Sequence, residues 1–387
     1  MNEIHLSPLE QDIRQAVQAL CARFPDEYWR NLDRDNAYPE AFVKAMTDAG
    51  WLSILIPEEY GGGGMGVSAA AAVLEEIHRS GGNAAACHAQ MYIMGTLLRH
   101  GSPEQKAEYL PRIAGGELRL QAFGVTEPDA GSDTTRIRTR AERQGDCYVI
   151  NGQKVFTSRA EHSDLLLLLA RTSPYDPQQR ARGLSTFLVD LRQAADNGLQ
   201  IRPLETMMNH ATTELFFDNL EIPAENLIGE EGMGFRYILD GMNAERILIA
   251  AECIGDGYWF VERGSRYAGT REVFGRPIGT NQGVQFPLAA AYAHVEAANL
   301  MRLKAAQLFE ANQPCGPEAN MAKLLASEAS WAAANACLDA HGGYGFATEY
   351  DVERKFRETR LYKIAPVNNN LILAYLAHKV LGMPRSY

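Results

Sequence analysis

Between about residue 120 and residue 230 the three-to-four spacing of apolar residues that governs both flanks gives way to short alternating or continuous apolar runs. A chain with two such changes of period cannot fold as one helical or one β layer. The segments CYVINGQKVFTS, DLLLLLARTS, GLSTFLVDL and TTELFFDNLEI are short, carry β-branched or aromatic residues, and are separated by Gly, Asn, Asp and Pro. They predict a β domain of antiparallel hairpins, with Asn151-Gly152 as a turn signal. Before it, Ser7-Pro8 and Pro39 predict helix starts, and an Ala-rich stretch after Gly61 to Gly64 predicts close helix packing. That glycine run has neither a following GK[ST] nor a strand–loop–helix context, which argues against a phosphate loop. From Gly234 onward, stretches such as QFPLAAAYAHVEAANLMRLKAAQLFEAN are too long and apolar for isolated surface helices and imply a bundle.

The expected architecture is a multidomain α+β chain. It has an N-terminal helical domain over 1–120, a central antiparallel β domain over 121–230, and a C-terminal four-helix-type bundle over 231–387. Its 387 residues exceed the roughly 250–300 at which one core stops growing, which agrees with several packed domains. With 37 Lys and Arg against 48 Asp and Glu, the net charge of −11 argues against nucleic acid or an anionic membrane as the main partner. It leaves room for a local basic pocket for a phosphorylated ligand. Cysteines 21, 87, 147, 253, 315 and 337 are spaced too irregularly for a disulfide framework or a metal site. No apolar run approaches the roughly 18 residues of a spanning helix. A cytoplasmic protein without metal or membrane insertion is expected.

Four ordered blocks carry a family resemblance: FGVTEPDAGSD at 123–133, INGQKVFTS at 150–158, REVFGRPIGTNQ at 271–282 and HGGYGFATEYDVERKFRETR at 341–360. Together they resemble the acyl-CoA dehydrogenase family of flavoproteins along the whole chain. The resemblance implies FAD as cofactor and an acyl-CoA substrate. It also implies electron transfer flavoprotein as the partner that reoxidises the flavin, and a homo-oligomer, commonly a tetramer.

Residue by residue, the resemblance implies that Phe123, Val125 and Thr126 contribute to flavin binding, and that Ser132 contacts CoA. Thr126 and Ser132 have the hydroxyls for such bonds, and Gly131 permits close backbone approach. Phe156, Thr157 and Ser158 stand where relatives more often have Trp-Ile-Thr; Phe156 would cover one flavin face and Ser158 would donate to its ring. Arg271, Phe274 and Gln282 match the block that reaches the flavin of a neighbouring subunit, with Arg271 suited to pyrophosphate. Gly342 and Gly343 match the Gly-Gly of a flavin contact, although Asp339 replaces a glutamine there. Read without the family, Phe156 is also a strand core residue and Arg271 a surface ion-pair partner.

Abstraction of the α-proton of an acyl thioester needs a base, and a carboxylate in a closed apolar site is suitable. Many relatives place a glutamate in a C-terminal loop, where this chain has Ile364-Ala365-Pro366-Val367-Asn368. Pro366 cannot take a proton. The arrangement resembles isovaleryl-CoA and long-chain acyl-CoA dehydrogenases, which carry the glutamate on the first long C-terminal helix, immediately before an arginine. Glu245 is the expected base, with Arg246 and Asn243 at the CoA. A structural ion pair is the other reading of Glu245 and of Arg246. Tyr92, Met94, Leu239 and Met242 are candidates for the acyl pocket or for plain core. The block DRDNAYPEAFVKAM also resembles a branch containing crotonobetainyl-CoA reductase. Enoyl-CoA-type reduction, non-redox elimination from a β-substituted acyl-CoA, a flavin oxygenase and a non-catalytic acyl-CoA-binding scaffold remain alternatives.

Overall fold

The computed structural model describes residues 8–194 and 196–386. In chain order the helices α1 (Pro8–Cys21), α2 (Asp26–Asp35), α3 (Glu40–Asp48), α4 (Val67–Arg79), α5 (Ala85–His100) and α6 (Pro103–Ala114) come first. There follow β1 (Leu120–Gly124), β2 (Arg140–Gln144), β3 (Cys147–Ser158), β4 (Leu165–Arg171) and β5 (Leu184–Asp190). A short α7 (Leu191–Ala194) leads to β6 (Leu199–Pro203), β7 (Thr212–Pro223) and β8 (Leu227–Ile228). The long helices α8 (Gly234–Thr270), α9 (Gln282–Glu310) and α10 (Gly316–His341) complete the pattern, with the hairpin β9 (Glu272–Val273) and β10 (Arg276–Pro277) between α8 and α9. Two short helices, α11 (Val352–Arg360) and α12 (Asn369–Tyr375), follow. Helices, sheet and helical bundle therefore appear in the expected order. Among the described residues no helix is long and apolar enough to cross a membrane.

Pro8 opens α1 as expected, and Ser7 lies outside the described residues. α6 shows how local chemistry starts a helix. Gln105 N donates to Ser102 Oγ (3.1 Å), Ser102 N donates to Gln105 Oε1 (3.0 Å), and Pro103 occupies the first turn. The Gly61 to Gly64 run closes a turn on Ser53 to Ile56: Gly63 N donates to Ser53 O and Gly64 N to Ile56 O. It cradles its own chain.

By compactness the chain divides into two units, one of residues 1–35, 66–84 and 243–387 and the other of 36–65 and 85–242. The second unit holds the sheet, in the order β6-β7-β3-β2-β4-β5-β8 with β1 also on β4. Most ladders are antiparallel, but β1 and the start of β2 run parallel to β4, so the sheet is mixed rather than purely antiparallel. β1 is separated from β4 by about forty residues of sequence, long enough for a crossover that hairpin signals do not reveal. The Asn151-Gly152 turn is also corrected. Both residues lie inside β3, the hairpin turn falls at Gly145, and a Cβ on Gly152 would sit 2.5 Å from Thr139 Oγ1.

The unbroken run Leu165 to Ala170 makes β4 a strand buried on both faces. Leu166, Leu168 and Ala170 join Tyr148, Ile150, Phe187 and Leu215 on one side. Leu165 and Leu167 pack on the other with Ile93, Leu97, Leu110 and Ile113 of α5 and α6. At roughly 1.5–3 kcal/mol for each buried leucine, this strand is a main source of cohesion.

A buried ion pair locks the same sheet. Lys154, fully buried on β3, donates to Glu127 Oε1 (2.9 Å) and to Val125 O (3.0 Å). Glu127 also accepts from Arg138 N (2.6 Å) and Thr139 N (2.9 Å). Burial alone would raise the Glu127 carboxyl, but Lys154 and these donors outweigh it and hold it below 4.5. Burial pushes the Lys154 ammonium down to about 8 despite its partner.

The first unit packs its helices through small residues and buried charge. α10 buries Ala319, Ala322, Ala326, Ala329 and Ala333, and a Cβ on Gly255 of α8 would lie 2.3 Å from Glu75 O of α4. Between these helices Asp256 accepts from Lys355 (2.5 Å) and pairs with His78 (2.8 Å), while Glu75 pairs with Arg14 (2.8 Å) and Arg302 (3.4 Å). Lys355 further donates to Gly82 O at 2.9 Å.

Asp256→Ala removes the nearer carboxylate of the buried Lys355 ammonium, leaving Glu358 at 3.3 Å, and takes away the 2.8 Å partner of His78. We expect a loss of about 3–5 kcal/mol in urea unfolding with an unchanged denaturant slope. A loss below about 1 kcal/mol would refute the role given to this pair. Glu127 has a folded-state pKa below its unfolded value, so its contribution is full above about pH 4.5 and is lost as the pH falls through the folded value. Glu127→Gln is expected to be less stable than the parent at pH 7 and to lose less stability between pH 6 and pH 3.5. A parallel pH dependence in both proteins would contradict it.

Candidate functional site

In the sheet unit, the segment that begins at Phe123 is fixed from beneath. Phe123 is half-buried and meets Tyr92 edge-on at 5.7 Å. Val125 is held through its carbonyl by Lys154, and Thr126 O accepts from Val155 N at 2.9 Å. Glu127 and Ala130 exchange backbone hydrogen bonds across Pro128-Asp129, so that Gly131, Ser132 and Asp133 emerge exposed from a closed turn. Thr134 Oγ1 donates back to Gly131 O at 3.1 Å.

β3 delivers the second element. Its register slips between Lys154 and Thr157, and within that bulge Phe156 adopts φ 58° with its side chain 63% exposed. A phenylalanine in the left-handed region costs roughly 1–3 kcal/mol and persists only when its surroundings impose it. Here the neighbours do so, since Lys154 is pinned on one side and Thr213 Oγ1 donates to Thr157 O (2.7 Å) on the other. Thr157 is buried with its own Oγ1 lacking a hydrogen-bond partner, and Ser158 is half-buried opposite Thr212. The unit thus presents an aromatic face beside hydroxyls and backbone amides. Met94 is wholly buried in the core cluster under α5 and α6, while Leu239 is half-exposed.

The first unit carries the remaining expected residues in two groups. On α8, Glu245 is 3% exposed, and Arg246 Nη1 donates to Asn243 Oδ1 at 3.3 Å. Burial draws the Arg246 pKa below its ordinary value, opposed by the Glu245 charge. Lys323 of α10, also buried, donates to Val367 O (2.8 Å) and Asn369 Oδ1 (2.9 Å). Burial takes its pKa down to about 8, against the opposing charges of Cys253 and Glu245. The 366–369 segment is thereby tied inward, and Asn368 Oδ1 caps α12 by accepting from Leu371 N.

The second group gathers at the end of α8. Arg271 N donates to Tyr267 O at 2.8 Å, and its guanidinium stands 5.8 Å from the centre of the Tyr344 ring. That contact brings Arg271 beside Gly342 and Gly343, where an added Cβ would meet nothing within 4 Å and where Gly342 has φ 56°. Phe274 tops the β9–β10 turn at φ 53°, fully exposed, and Gln282 opens α9 with its side chain outward. Asp339 is exposed.

Three supports carry no local signature of their role: Lys154 with Glu127, Lys323, and Tyr344. What signal there is for the lysines is a cation inside an otherwise apolar strand or Ala-rich helix, where a charge requires a partner.

Taken separately, the sheet unit carries an exposed aromatic ring on a strained bulge, and the helical unit a guanidinium beside open glycine backbone. Comparisons with known proteins identify the family. Family models described as the acyl-CoA dehydrogenase N-terminal, middle and C-terminal domains match residues 7–117, 122–220 and 232–380. The cyclohex-1-ene-1-carbonyl-CoA dehydrogenase of Syntrophus aciditrophicus is 38% identical over 376 residues, 96% of this chain and 89% of that one. A chain in the structure of the glutaryl-coenzyme A dehydrogenase glutaryl-CoA complex is 34% identical with a TM-score of 0.90, covering 99% of this chain and 98% of its own. A chain in the structure of the electron transferring flavoprotein of Acidaminococcus fermentans is 29% identical with a TM-score of 0.91, covering 98% and 99%. With all three domains matched in order over nearly its whole length, this chain belongs to the acyl-CoA dehydrogenase family.

Proposed function

We propose that Glu245 is the base of an FAD-dependent α,β-dehydrogenation that turns an acyl-CoA into its trans-2-enoyl-CoA. The observation that carries this assignment is a carboxylate buried to 3% exposure on α8, adjoining the Asn243–Arg246 pair. The 364–368 segment has no carboxylate and is drawn inward by Lys323. This combination favours a base position like that of isovaleryl-CoA and long-chain acyl-CoA dehydrogenases.

Residues of the chain hold, orient and deprotonate. The Phe156 ring, Ser158 and the 123–126 segment would hold a flavin ring, Gly342 and Gly343 would offer it backbone contact, and Arg271, Phe274 and Gln282 would reach the flavin of a neighbouring subunit. FAD, when bound, supplies the two-electron acceptor for the hydride leaving the β-carbon. Glu245 takes the α-proton, so the substrate loses two hydrogens and gains one double bond. Ser132, Asn243 and Arg246 would position the CoA. Burial around Glu245 excludes water, which makes its charge more effective at the reacting carbon.

Electrons would leave to an electron transferring flavoprotein, a reading supported by full-length likeness to a chain from such a structure. A homotetramer is supported by large apolar side chains left exposed on the helical unit, among them Phe274, Phe286, Leu300 and Leu325. A reducing cytoplasm suits six cysteines none of which forms a disulfide among the described residues.

Anaerobic mixing of the FAD-loaded protein with short, branched, cyclic, long and dicarboxylic acyl-CoAs is expected to bleach the oxidised flavin with one class. Glu245→Gln should retain FAD and slow that bleaching by roughly 10²–10⁴-fold; undiminished bleaching sinks the assignment. Arg271→Ala removes a charge-assisted contact and should weaken FAD retention about tenfold or more, read by flavin release on dilution. Unchanged retention would place Arg271 outside the cofactor site.

A further inference from the structure

Four residues beyond Ser132 the chain enters the stretch Arg136-Ile137-Arg138-Thr139-Arg140-Ala141, in which charge alternates with burial. Ile137, Thr139 and Ala141 are each 1% exposed, so Arg138 and Arg140 between them project to the opposite face, and Arg136 precedes them at the end of a short turn. Arg171 at the end of β4 is paired in register with Arg140. It donates from Nη2 to Thr135 O (2.7 Å) and from Nε to Ile137 O (3.1 Å), while its buried Nη1 makes no hydrogen bond. Tyr175 lies between two guanidiniums, with Arg136 4.6 Å and Arg171 5.5 Å from its ring centre.

These side chains line a cavity of about 500 Å³ with Thr172 and Ser173. Four guanidiniums line it with one carboxylate, Glu142, engaged by Arg140 at 3.3 Å, and Arg138 reaches Asp129 outside the lining at 3.8 Å. Burial and the neighbouring Arg136 charge draw the Arg171 pKa down, although Glu127 and Tyr175 oppose them. The two backbone bonds of Arg171 explain how the loop is held. They do not explain three further arginines lining the same cavity in a chain whose net charge is −11.

We propose that this cavity is a phosphate site of the β domain, taking a phosphate group from the nucleotide end of the acyl-CoA. Arginine forks match phosphate oxygens in pairs, and the free Nη1 with the Ser173 hydroxyl adds donors that a phosphate can accept from. The inference rests on the acyl-CoA reading above, because the cavity begins one turn after the Ser132 loop expected to contact CoA. Two phosphate groups of the same molecule have the required chemistry, the 3′-phosphate and the pyrophosphate.

The test uses full-length, FAD-loaded protein titrated calorimetrically with coenzyme A and with 3′-dephospho-coenzyme A. It compares the parent with Arg136→Gln and Arg138→Gln, whose side chains are exposed, and a thermal melt of each confirms folding. If the 3′-phosphate is held, the parent binds coenzyme A about tenfold more tightly than the dephospho form, and the substitutions erase that preference. If the pyrophosphate is held, the parent binds both alike and the substitutions weaken both several-fold. Unchanged affinities in folded variants, or a preference that survives both substitutions, overturn the site. The bleaching experiment separates this outcome from the parent reading. Coenzyme A bound here without bleaching by any acyl-CoA retains the phosphate site and removes the dehydrogenase assignment. Bleaching with unaltered KM in both variants retains the dehydrogenase and removes the site.

Discussion

The buried pair of Lys154 and Glu127 is the contact on which the organisation of the sheet unit depends. Each charge would be expensive alone in that position, and together they bond to each other and to backbone of two separate segments, at Val125 and at Arg138-Thr139. The pair fixes the exit of β1, the approach to β2, and the point on β3 just before the bulge. Phe156 can therefore occupy a backbone conformation that an unrestrained strand would abandon. An electrostatic cost in the interior thus becomes geometric precision at the surface.

The helical unit solves a different problem with related means. Alanine-rich faces let α9 and α10 approach closely, but small side chains define register weakly. Asp256 ties α8 to α11 through Lys355, and Glu75 ties α4 to α9 through Arg302, so a shift of either helix by one residue would break a buried ion pair. Glu245 belongs to the same helix as Asp256 and so inherits its placement. Its burial is partly a by-product of the way α8 is held.

Much of this was legible in the residue pattern. The changes of period near residues 120 and 230 mark the sheet, and the leucine run of β4 announces a strand covered on both faces. Long-range pairing was not legible: nothing near Leu120 indicates that its parallel partner is Leu165. Asn151-Gly152 has the composition of a tight turn, yet Gly152 serves to let Thr139 cross above it. The site was read mainly through ordered motifs, which locate Phe156 and Arg271 but cannot show that the first sits on a bulge and the second beside Tyr344. Lys154 and Lys323 were invisible as supports because their partners are backbone carbonyls and distant side chains, which leave no local spacing to find.

The double burial of β4 also affects how the chain is made. Its six consecutive residues, five leucines and an alanine, are apolar and without internal charge, so the segment can self-associate through its apolar surface when uncovered. α5, α6 and β1 precede it during synthesis and can shield one face, but β5 and the β7 and β8 segments emerge only afterwards. For that interval the nascent chain exposes a sticky edge whose native neighbour has not been translated. Soluble yield in a heterologous host should therefore depend on the rate of elongation just beyond residue 171 and on chaperone supply, even in variants whose finished structures are equally stable.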